Sequence, residues 1–511
     1  MDKIEVRICV PVCEQTLAGL EQASMRAALA GDLVELRLDC LRDQVTVGSL
    51  TQLAEEIQKL GRSVIVTFRS AEHGGRGAAG FSAKQEALLS FLFDKELIDL
   101  ALEVVREIID DSIPSRSQLD LQRVICSHHD FKGVPDDLDE IYERMVATRA
   151  GILKIAVKAE DITDCLPVFQ LLGRARDEGR EMIAVAMGTA GVVTRILGPS
   201  RGAYLTYGAL DDKSTTAPGQ VTARELREVY RIGKIDRHTQ ITGLIGNPVS
   251  HSISPHIQNQ AFEAAGLNAV FIPLEVHDLD SFIERMVRRR SREIDWNLRG
   301  LSVTAPHKVA VMQHLDWIEP LAQEIGAVNT IVVEPDALRG YNTDAPAALK
   351  PVSEKLGALR DSRCAVIGAG GAANAVLWSL RKQGARATVF ARDPEKGRAL
   401  AEKFDARWER LEVASFKEFD FVINATPMGT RGVHEAETPA TAVQLRGARL
   451  AYDLVYNPSE TLFLKEARAA GCDTIGGLAM LVSQAAEQFK LWTGAEAPVS
   501  AMREAAERAL M

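Results

Sequence analysis

Eight short runs rich in β-branched and apolar residues, most of them followed by a stretch with helical spacing, fill the first part of this chain. They are residues 6–12, 33–39, 63–69, 97–103, 123–130, 152–158, 182–188 and 204–209. Between them, segments such as 50–60, 82–93 and 138–148 carry apolar residues at helical spacing. Eight alternating units predict a (β/α)8 barrel, with an open doubly wound sheet as the alternative. A turn-rich stretch at 214–220, a helical stretch at 223–230 and polar residues 233–240 close this part. The boundary falls near 232–238, and a new strand at 241–245 opens the second part.

The second part holds one informative unit. Ser362-Arg363-Cys364-Ala365-Val366-Ile367-Gly368-Ala369-Gly370-Gly371 is a polar start, a buried strand and a glycine turn. A helix at 373–383 and a strand at 387–391 complete a βαβ unit of dinucleotide-binding layout. The glycines let the backbone approach a pyrophosphate at the helix N-terminus. The cofactor contacts expected there are Gly368, Ala369, Gly370, Gly371 and Ala372. After the next strand come Ala391-Arg392-Asp393 and then Lys396; Arg392 and Lys396 favour a 2′-phosphate, hence NADP, while Asp393 argues against it.

The chain has 511 residues, 46% hydrophobic and 25% charged, the balance of a folded globular protein. A net charge of −10 excludes a general nucleic-acid or membrane-surface binder, both of which need a basic face. Arg288, Arg289, Arg290 and Arg292 read as a solvated helix end. Cys9, Cys13, Cys40, Cys126, Cys165, Cys364 and Cys472 offer no second pair for a metal knuckle, so no metal site is expected. Their odd number and scatter predict reduced thiols. The first residues lack a signal-peptide layout, and no apolar run spans a bilayer. The expectation is a soluble, cytoplasmic protein.

Polar residues cluster at the ends of the predicted barrel strands: Glu35, Arg37 and Asp39 on one face; Arg69, then Glu72; His128 and His129; Lys154; and Arg195. The charges on strand two read either as a structural ion-pair network or as ligand contacts. Lys154 sits in Gly-Ile-Leu-Lys-Ile-Ala-Val. It is either a snorkelling surface lysine or a desolvated amine near arginines, neutral and able to form a Schiff base with a ketone.

In order, Glu-x-Arg-x-Asp, Thr-Phe-Arg-x-x-Glu, Ser-x-His-Asp-Phe, the strand lysine, Met-Gly…Arg and Ala-Pro-Gly-Gln resemble the type I 3-dehydroquinate dehydratase family across residues 1–222. The resemblance implies that Lys154 forms the Schiff base, that His129 is the general acid/base, and that Glu72 orients the histidine. It makes Glu35, Arg37, Arg69, Arg195, Thr216 and Gln220 the substrate ligands. His128 stands where a tyrosine is expected, and Thr216 where a serine is expected.

The second part adds His251-Ser252-Ile253-Ser254-Pro255, Ser302-Val303-Thr304-Ala305-Pro306-His307-Lys308, Asn329-Thr330 and Asn342-Thr343-Asp344. Further on stand Asn424-Ala425-Thr426-Pro427-Met428, Tyr452-Asp453-Leu454-Val455-Tyr456, and Gly477 through Gln484. Singly, the serines read as a helix cap and Lys308 as a surface charge. In order, they resemble shikimate dehydrogenase across residues 240–508. That resemblance implies a catalytic pair, Lys308 and Asp344, and substrate ligands Ser252, Ser254, Thr304, Asn329, Tyr456 and Gln484. It adds Thr426, Met428, Leu454 and Gly477 to the cofactor contacts. Ser302 stands where many bacterial members have asparagine, which implies a tuned pocket.

Together the resemblances imply a bifunctional enzyme. A barrel at 1–232 dehydrates 3-dehydroquinate to 3-dehydroshikimate. A substrate lobe at 238–345 and 485–511, with a Rossmann lobe at 346–484, reduces that product to shikimate with NADPH. The rival reading is a Schiff-base aldolase-like barrel joined to a quinate dehydrogenase.

Overall fold

A computed structural model of the chain describes residues 6–42, 47–69, 75, 96–109, 120–214, 216, 217 and 219–510. These form two compact units. The first comprises Met1–Ile241, Ile245–Ser250 and Asn268–Asn297, and the second comprises Thr242–Leu244, His251–Leu267 and Leu298–Met511.

The first unit contains eight parallel strands: β1 (Ile8–Val12), β2 (Leu33–Arg37), β3 (Ser63–Thr67), β4 (Leu97–Ala101), β5 (Val124–Asp130), β6 (Ile152–Lys158), β7 (Glu181–Met187) and β8 (Thr206–Tyr207). They neighbour one another in the order β7-β6-β5-β4-β3-β2-β1-β8. A bridge from Met182 to Ala203 brings the last segment back to β7. This is the predicted barrel, nearly closed. Its strands are nearly continuous apolar runs because helices cover their outer faces. Four predicted strands stop two residues early, β3 and β4 ending at Thr67 and Ala101. Leu38–Cys40 is a 3-10 turn, not the end of β2, and β8 keeps two residues of the expected six. The helix expected at 82–93 lies outside the described residues.

β9 (Gln240–Gly246) and β10 (Ala269–Glu275) follow. In the second unit β11 (Asn297–Val303), β12 (Trp317–Ile318), β13 (Thr330–Val333) and β14 (Leu338–Tyr341) lie in the order β11-β13-β14-β12. A parallel sheet comes next: β15 (Arg363–Ile367), β16 (Arg386–Ala391), β17 (Arg407–Arg410), β18 (Phe421–Asn424), β19 (Leu450–Asp453) and β20 (Asp473–Ile475). Its order, β17-β16-β15-β18-β19-β20, reverses direction at β15. That reversal is where nucleotides bind such sheets. Val366 and Ile367 pack into different apolar clusters, one on each face of the sheet.

The cysteines correct one expectation. Cys13 and Cys40 form a disulfide between the residue after β1 and the turn after β2, with Cα atoms 5.4 Å apart. The fold brings together thiols 27 residues apart, which spacing alone does not reveal. The other five cysteines are buried free thiols. Among the described residues no helix is long and apolar enough to cross a membrane, and no group of side chains is arranged to hold a metal ion.

Candidate active sites

Strand alternation builds the first site. An apolar layer from Cys9, Leu33, Ile65, Ile125, Ile152 and Ile183 floors the barrel. The next inward position on a strand lies two residues on. On five strands that position holds Glu35, Thr67, Asp99, Ser127 and Lys154, and two residues further stand Arg37, Arg69 and His129. A cleft of about 570 Å3, its mouth included, opens over these layers, and Arg195, Tyr207, Thr216 and Gln220 also line it.

Lys154 is 5% exposed. Its Nζ lies 2.5 Å from Asp99 Oδ2 and 3.8 Å from Glu35 Oε1, and 4.5 Å from the centroid of the Tyr207 ring. This corrects the expected surroundings. Alternation turns Leu153, Ile155 and Val157 away, so the inward amine meets two carboxylates rather than apolar side chains. Asp99 also accepts from Arg69 Nη2 at 2.8 Å. Burial pushes the Asp99 carboxyl up, but Lys154 and Arg69 outweigh it and hold the group below its usual range. Asp99 and Tyr207 escaped the sequence reading. A lone acid in the apolar run Leu97-Ile98-Asp99-Leu100-Ala101 was the available signal.

The register pairs Ser127 with Lys154 and His129 with Ala156, so His129 stands one inward step above Lys154 on the neighbouring strand. Arg69 Nη1 lies 2.8 Å from His129 Nε2 and also meets Nδ1. Arginine only donates, so a nitrogen accepting from it is unprotonated. Burial first, then Arg69 and Lys154, push this imidazole well below its ordinary 6.5. His128 alternates to the other face and does not line the cleft. Glu72 lies outside the described residues.

The remaining ligands divide by partner. Glu35 accepts from Thr67 Oγ1 at 2.6 Å, and Arg37 clamps Asp39 through two bonds of 2.7 and 2.8 Å. Arg195 is 1% exposed, and among the described residues no carboxylate comes within ion-pair distance. Burial pushes its guanidinium down to about 10. A buried cation without a protein counter-ion suits an anionic ligand. Thr216 N donates to Gln220 Oε1 at 2.8 Å. Between them Gly219, at φ +69, presses on Gly188; a Cβ there would fall 2.0 Å from the Gly188 oxygen. The Met-Gly and Ala-Pro-Gly-Gln motifs therefore meet.

In the second unit Lys308 Nζ lies 2.6 Å from Asp344 Oδ2, with side chains 35% and 17% exposed. Asn329 is buried; its Oδ1 accepts from Thr343 N at 2.8 Å, next to Asp344, and its Nδ2 donates to Thr343 Oγ1. Ser252 Oγ lies 3.1 Å from Ser254 Oγ, and Ser254 begins the helix Ser254–Ala264 with no capping bond from its neighbour Ile253. Thr304 is half-buried at the end of β11. Burial pushes the Tyr456 phenol up. Gln484 lies on the helix Leu478–Thr493, where its amide donates to Leu481 O.

Four residues further on the same helix face, Gln488 donates to Ser302 Oγ and Thr330 Oγ1, each at 3.1 Å. Ser302 is thus buried and bonded to a helix. Gln488 was missed; its i,i+4 spacing from Gln484 was the signal.

The residues fit a dinucleotide. Gly368 has φ +121 and sits where a Cβ would fall 2.8 Å from Ala425 O, whereas Cβ atoms at Gly370 and Gly371 would meet nothing. The open glycines and Ala372 lie at the N-terminal end of the twelve-residue helix Gly371–Lys382. Ala369 is half-buried beside them, and Ala391 is buried at the end of β16. Arg392 and Lys396 are exposed after it. Asp393 caps the helix Pro394–Lys403, accepting from Glu395 N and Lys396 N. Its presence therefore needs no ribose contact. Thr426 bonds to Asn424, and Met428 and Leu454 are half-buried nearby in sequence at the ends of β18 and β19. Gly477 passes so close to Leu454 O that a Cβ would fall 2.4 Å away.

A barrel with an inward amine near an imidazole is the arrangement a Schiff-base lyase requires, and a Lys–Asp pair on a unit with a dinucleotide-type sheet is the one a nicotinamide-dependent reductase requires. The family profile "Type I 3-dehydroquinase" matches residues 8–237. Profiles for the shikimate dehydrogenase substrate-binding domain, for shikimate/quinate 5-dehydrogenase and for the shikimate 5′-dehydrogenase C-terminal domain match 244–331, 350–455 and 477–507. The chloroplastic bifunctional 3-dehydroquinate dehydratase/shikimate dehydrogenase of Arabidopsis thaliana is 34% identical, over 96% of this chain and 82% of its own. An NADP(+) shikimate dehydrogenase of Oleidesulfovibrio alaskensis is 42% identical over 52% of this chain and 93% of its own. A crystal structure of a shikimate dehydrogenase with NADP+ matches 54% of this chain and 98% of its own, at 36% identity and a TM-score of 0.50. The chain belongs to the family of bifunctional 3-dehydroquinate dehydratase/shikimate dehydrogenases.

Proposed function

We propose that this chain performs two consecutive steps, dehydrating 3-dehydroquinate and then reducing the 3-dehydroshikimate formed to shikimate with NADPH. The observation that carries the first step is Lys154, buried in the barrel's polar layer one inward step below His129. Lys154 first passes a proton to the Asp99 carboxylate 2.5 Å away; its neutral nitrogen then attacks the substrate ketone carbon, and the carbonyl oxygen takes one proton from that nitrogen and one back from Asp99 and leaves as water, giving an iminium. The iminium draws electrons from the ring and acidifies the adjacent C–H. His129 takes that proton and returns it to the departing hydroxyl, which leaves as a second water. Hydrolysis of the iminium then consumes one water and frees Lys154, so the net loss is one water. Arg195 holds the substrate carboxylate; Glu35, Arg37, Arg69, Thr216 and Gln220 hold its other polar groups; Glu72 orients the imidazole.

For the second step, NADPH supplies a hydride to the ketone carbon when bound. Lys308, held by Asp344, gives a proton to the ketone oxygen. Ser252, Ser254, Thr304, Asn329, Tyr456 and Gln484 orient the ring hydroxyls and carboxylate. Gly368 through Ala372 hold the pyrophosphate, and Ala391, Arg392 and Lys396 the adenosine 2′-phosphate side. Thr426, Met428, Leu454 and Gly477 face the nicotinamide. The working division is a dehydratase at 1–232, a substrate lobe at 238–345 and 485–511, and an NADP lobe at 346–484. The compartment proposed is the cytoplasm, a reading that the five free thiols support and the Cys13–Cys40 disulfide opposes.

Two assays test this reading. Borohydride added with 3-dehydroquinate should fix a covalent adduct on Lys154. The full chain given 3-dehydroquinate and NADPH should consume both. NADPH loss with another ketone but not with 3-dehydroquinate would reject the reading.

A further inference from the structure

We infer that the first unit carries a second small-molecule site, a cleft for a phosphate-type oxyanion framed by Arg176, Arg201 and Arg237. The cleft takes about 940 Å3, its mouth included, and shares no lining residue with the dehydratase cleft. The end of the helix Cys165–Asp177, the turn Pro199–Arg201 and residues 235–241 and 295–297 wall it. It is within the size range of small-ligand pockets.

Arg201 is the anchor. Its Nη1 donates to the Asp295 carbonyl at 2.7 Å, and the guanidinium lies 5.1 Å from the Phe169 ring centroid. Its Nε is buried without a partner, and among the described residues no carboxylate comes within ion-pair distance. Burial pushes this guanidinium down to about 10. A desolvated cation whose contacts are a carbonyl and a ring face lacks the counter-ion that makes such burial favourable.

Three guanidiniums and two carboxylates line the cleft. Arg237 is exposed and makes no ion pair among the described residues. Among the described residues Arg176 pairs only with its neighbour Asp177, at an exposed position. Two carboxylates also line the cleft. Asp236 is committed locally, accepting from His238 N at 2.7 Å and from Thr239 and Asn268. Asp295 is exposed and acts on Arg201 at longer range. Three guanidiniums thus stand against two carboxylates in the lining; with Arg176 paired to Asp177, Arg201 and Arg237 are the lining cations without an ion pair among the described residues. Guanidinium donates in parallel pairs to planar or tetrahedral oxyanions. A tetrahedral dianion has oxygens enough for three such forks, and a single carboxylate does not.

The test is calorimetric titration of the full chain with inorganic phosphate at low ionic strength, with NADP+ present to occupy the nucleotide lobe. One saturable site is expected, weakened at least tenfold by R201M and by R237A. Turnover of both steps without phosphate should be unchanged, because neither residue lines the dehydratase cleft or belongs to the reductase site. R237A alters an exposed side chain and keeps the test valid if R201M fails to fold. Soaking crystals with tungstate locates the anion. Density beside Arg201 supports the site. No saturable binding, equal affinity in R237A, or tungstate only at Arg195 or in the nucleotide lobe overturns it.

Discussion

Lys154 and Lys308 each hold an aspartate at nearly the same distance, 2.5 Å to Asp99 and 2.6 Å to Asp344. Their surroundings differ. The first pair is 6% and 0% exposed, with a second carboxylate and an arginine in contact; the second is 35% and 17% exposed. The same two residue types thus stand in very different degrees of burial. Under the proposed reading the barrel amine becomes part of a covalent intermediate, which needs water excluded and a fixed line of attack. Under the same reading the reductase lysine delivers a proton, which needs a held but solvent-connected donor.

Removing each lysine is the strongest way to break this contrast. K154M should lower dehydratase turnover by about 10⁴-fold or more, because no covalent route remains. It should also abolish borohydride trapping, while the reductase of the same chain stays within about twofold. K308M should cost the reductase about 10²–10⁴-fold, the range for losing one general acid, with the dehydratase unaffected. Equal losses in both activities from either variant would mean that the lysines act on folding rather than chemistry.

The aspartates sharpen the comparison in stability. D99A leaves a buried ammonium and a buried guanidinium short of a counter-ion, so the barrel should lose about 3–5 kcal/mol. D344A removes one partner of a partly solvated pair and should cost about 1 kcal/mol or less. Urea unfolding by circular dichroism, with hydrogen exchange on barrel and reductase peptides, reads the two separately. Similar losses in both units would show that the difference in exposure has no energetic weight.

Much of this was legible in the residues. Alternation and the order of motifs placed Glu35, Arg37, Arg69, His129 and Lys154 on one set of strand ends, and the glycine turn located the dinucleotide sheet. What escaped depends on contacts across the fold. Asp99 was hidden because one acid in a short apolar run has no local meaning until β3, β5 and β6 bring Arg69, Ser127 and Lys154 to it. The link from Gln488 to Ser302 spans 186 residues. The disulfide was missed for the same reason: Cys13 and Cys40 become neighbours only because β1 and β2 pair. Asp393 misled because its role is a helix cap, a local demand that competes with the cofactor reading of the same position.

The smallest effect concerns the imidazole that the barrel has and the reductase pair lacks. His129 must be unprotonated to accept a proton. Burial first, and Arg69 next, hold it well below 6.5. The sign follows: activity limited by this base is retained as pH falls past 6.5 and is lost only as pH drops through the lower value. The acid limb of dehydratase kcat/KM should therefore lie well below pH 6.5. R69Q removes the cation but leaves the burial, so the limb should move upward yet stay below 6.5. Arg69 also touches Asp99, so R69Q lowers the maximum rate as well; the limb's position, not its height, is the readout. The reductase limb of the same variant should not move. A dehydratase limb at or above 6.5 in the unmodified chain would mean that His129 is not held neutral by its surroundings, and the base would have to be sought elsewhere.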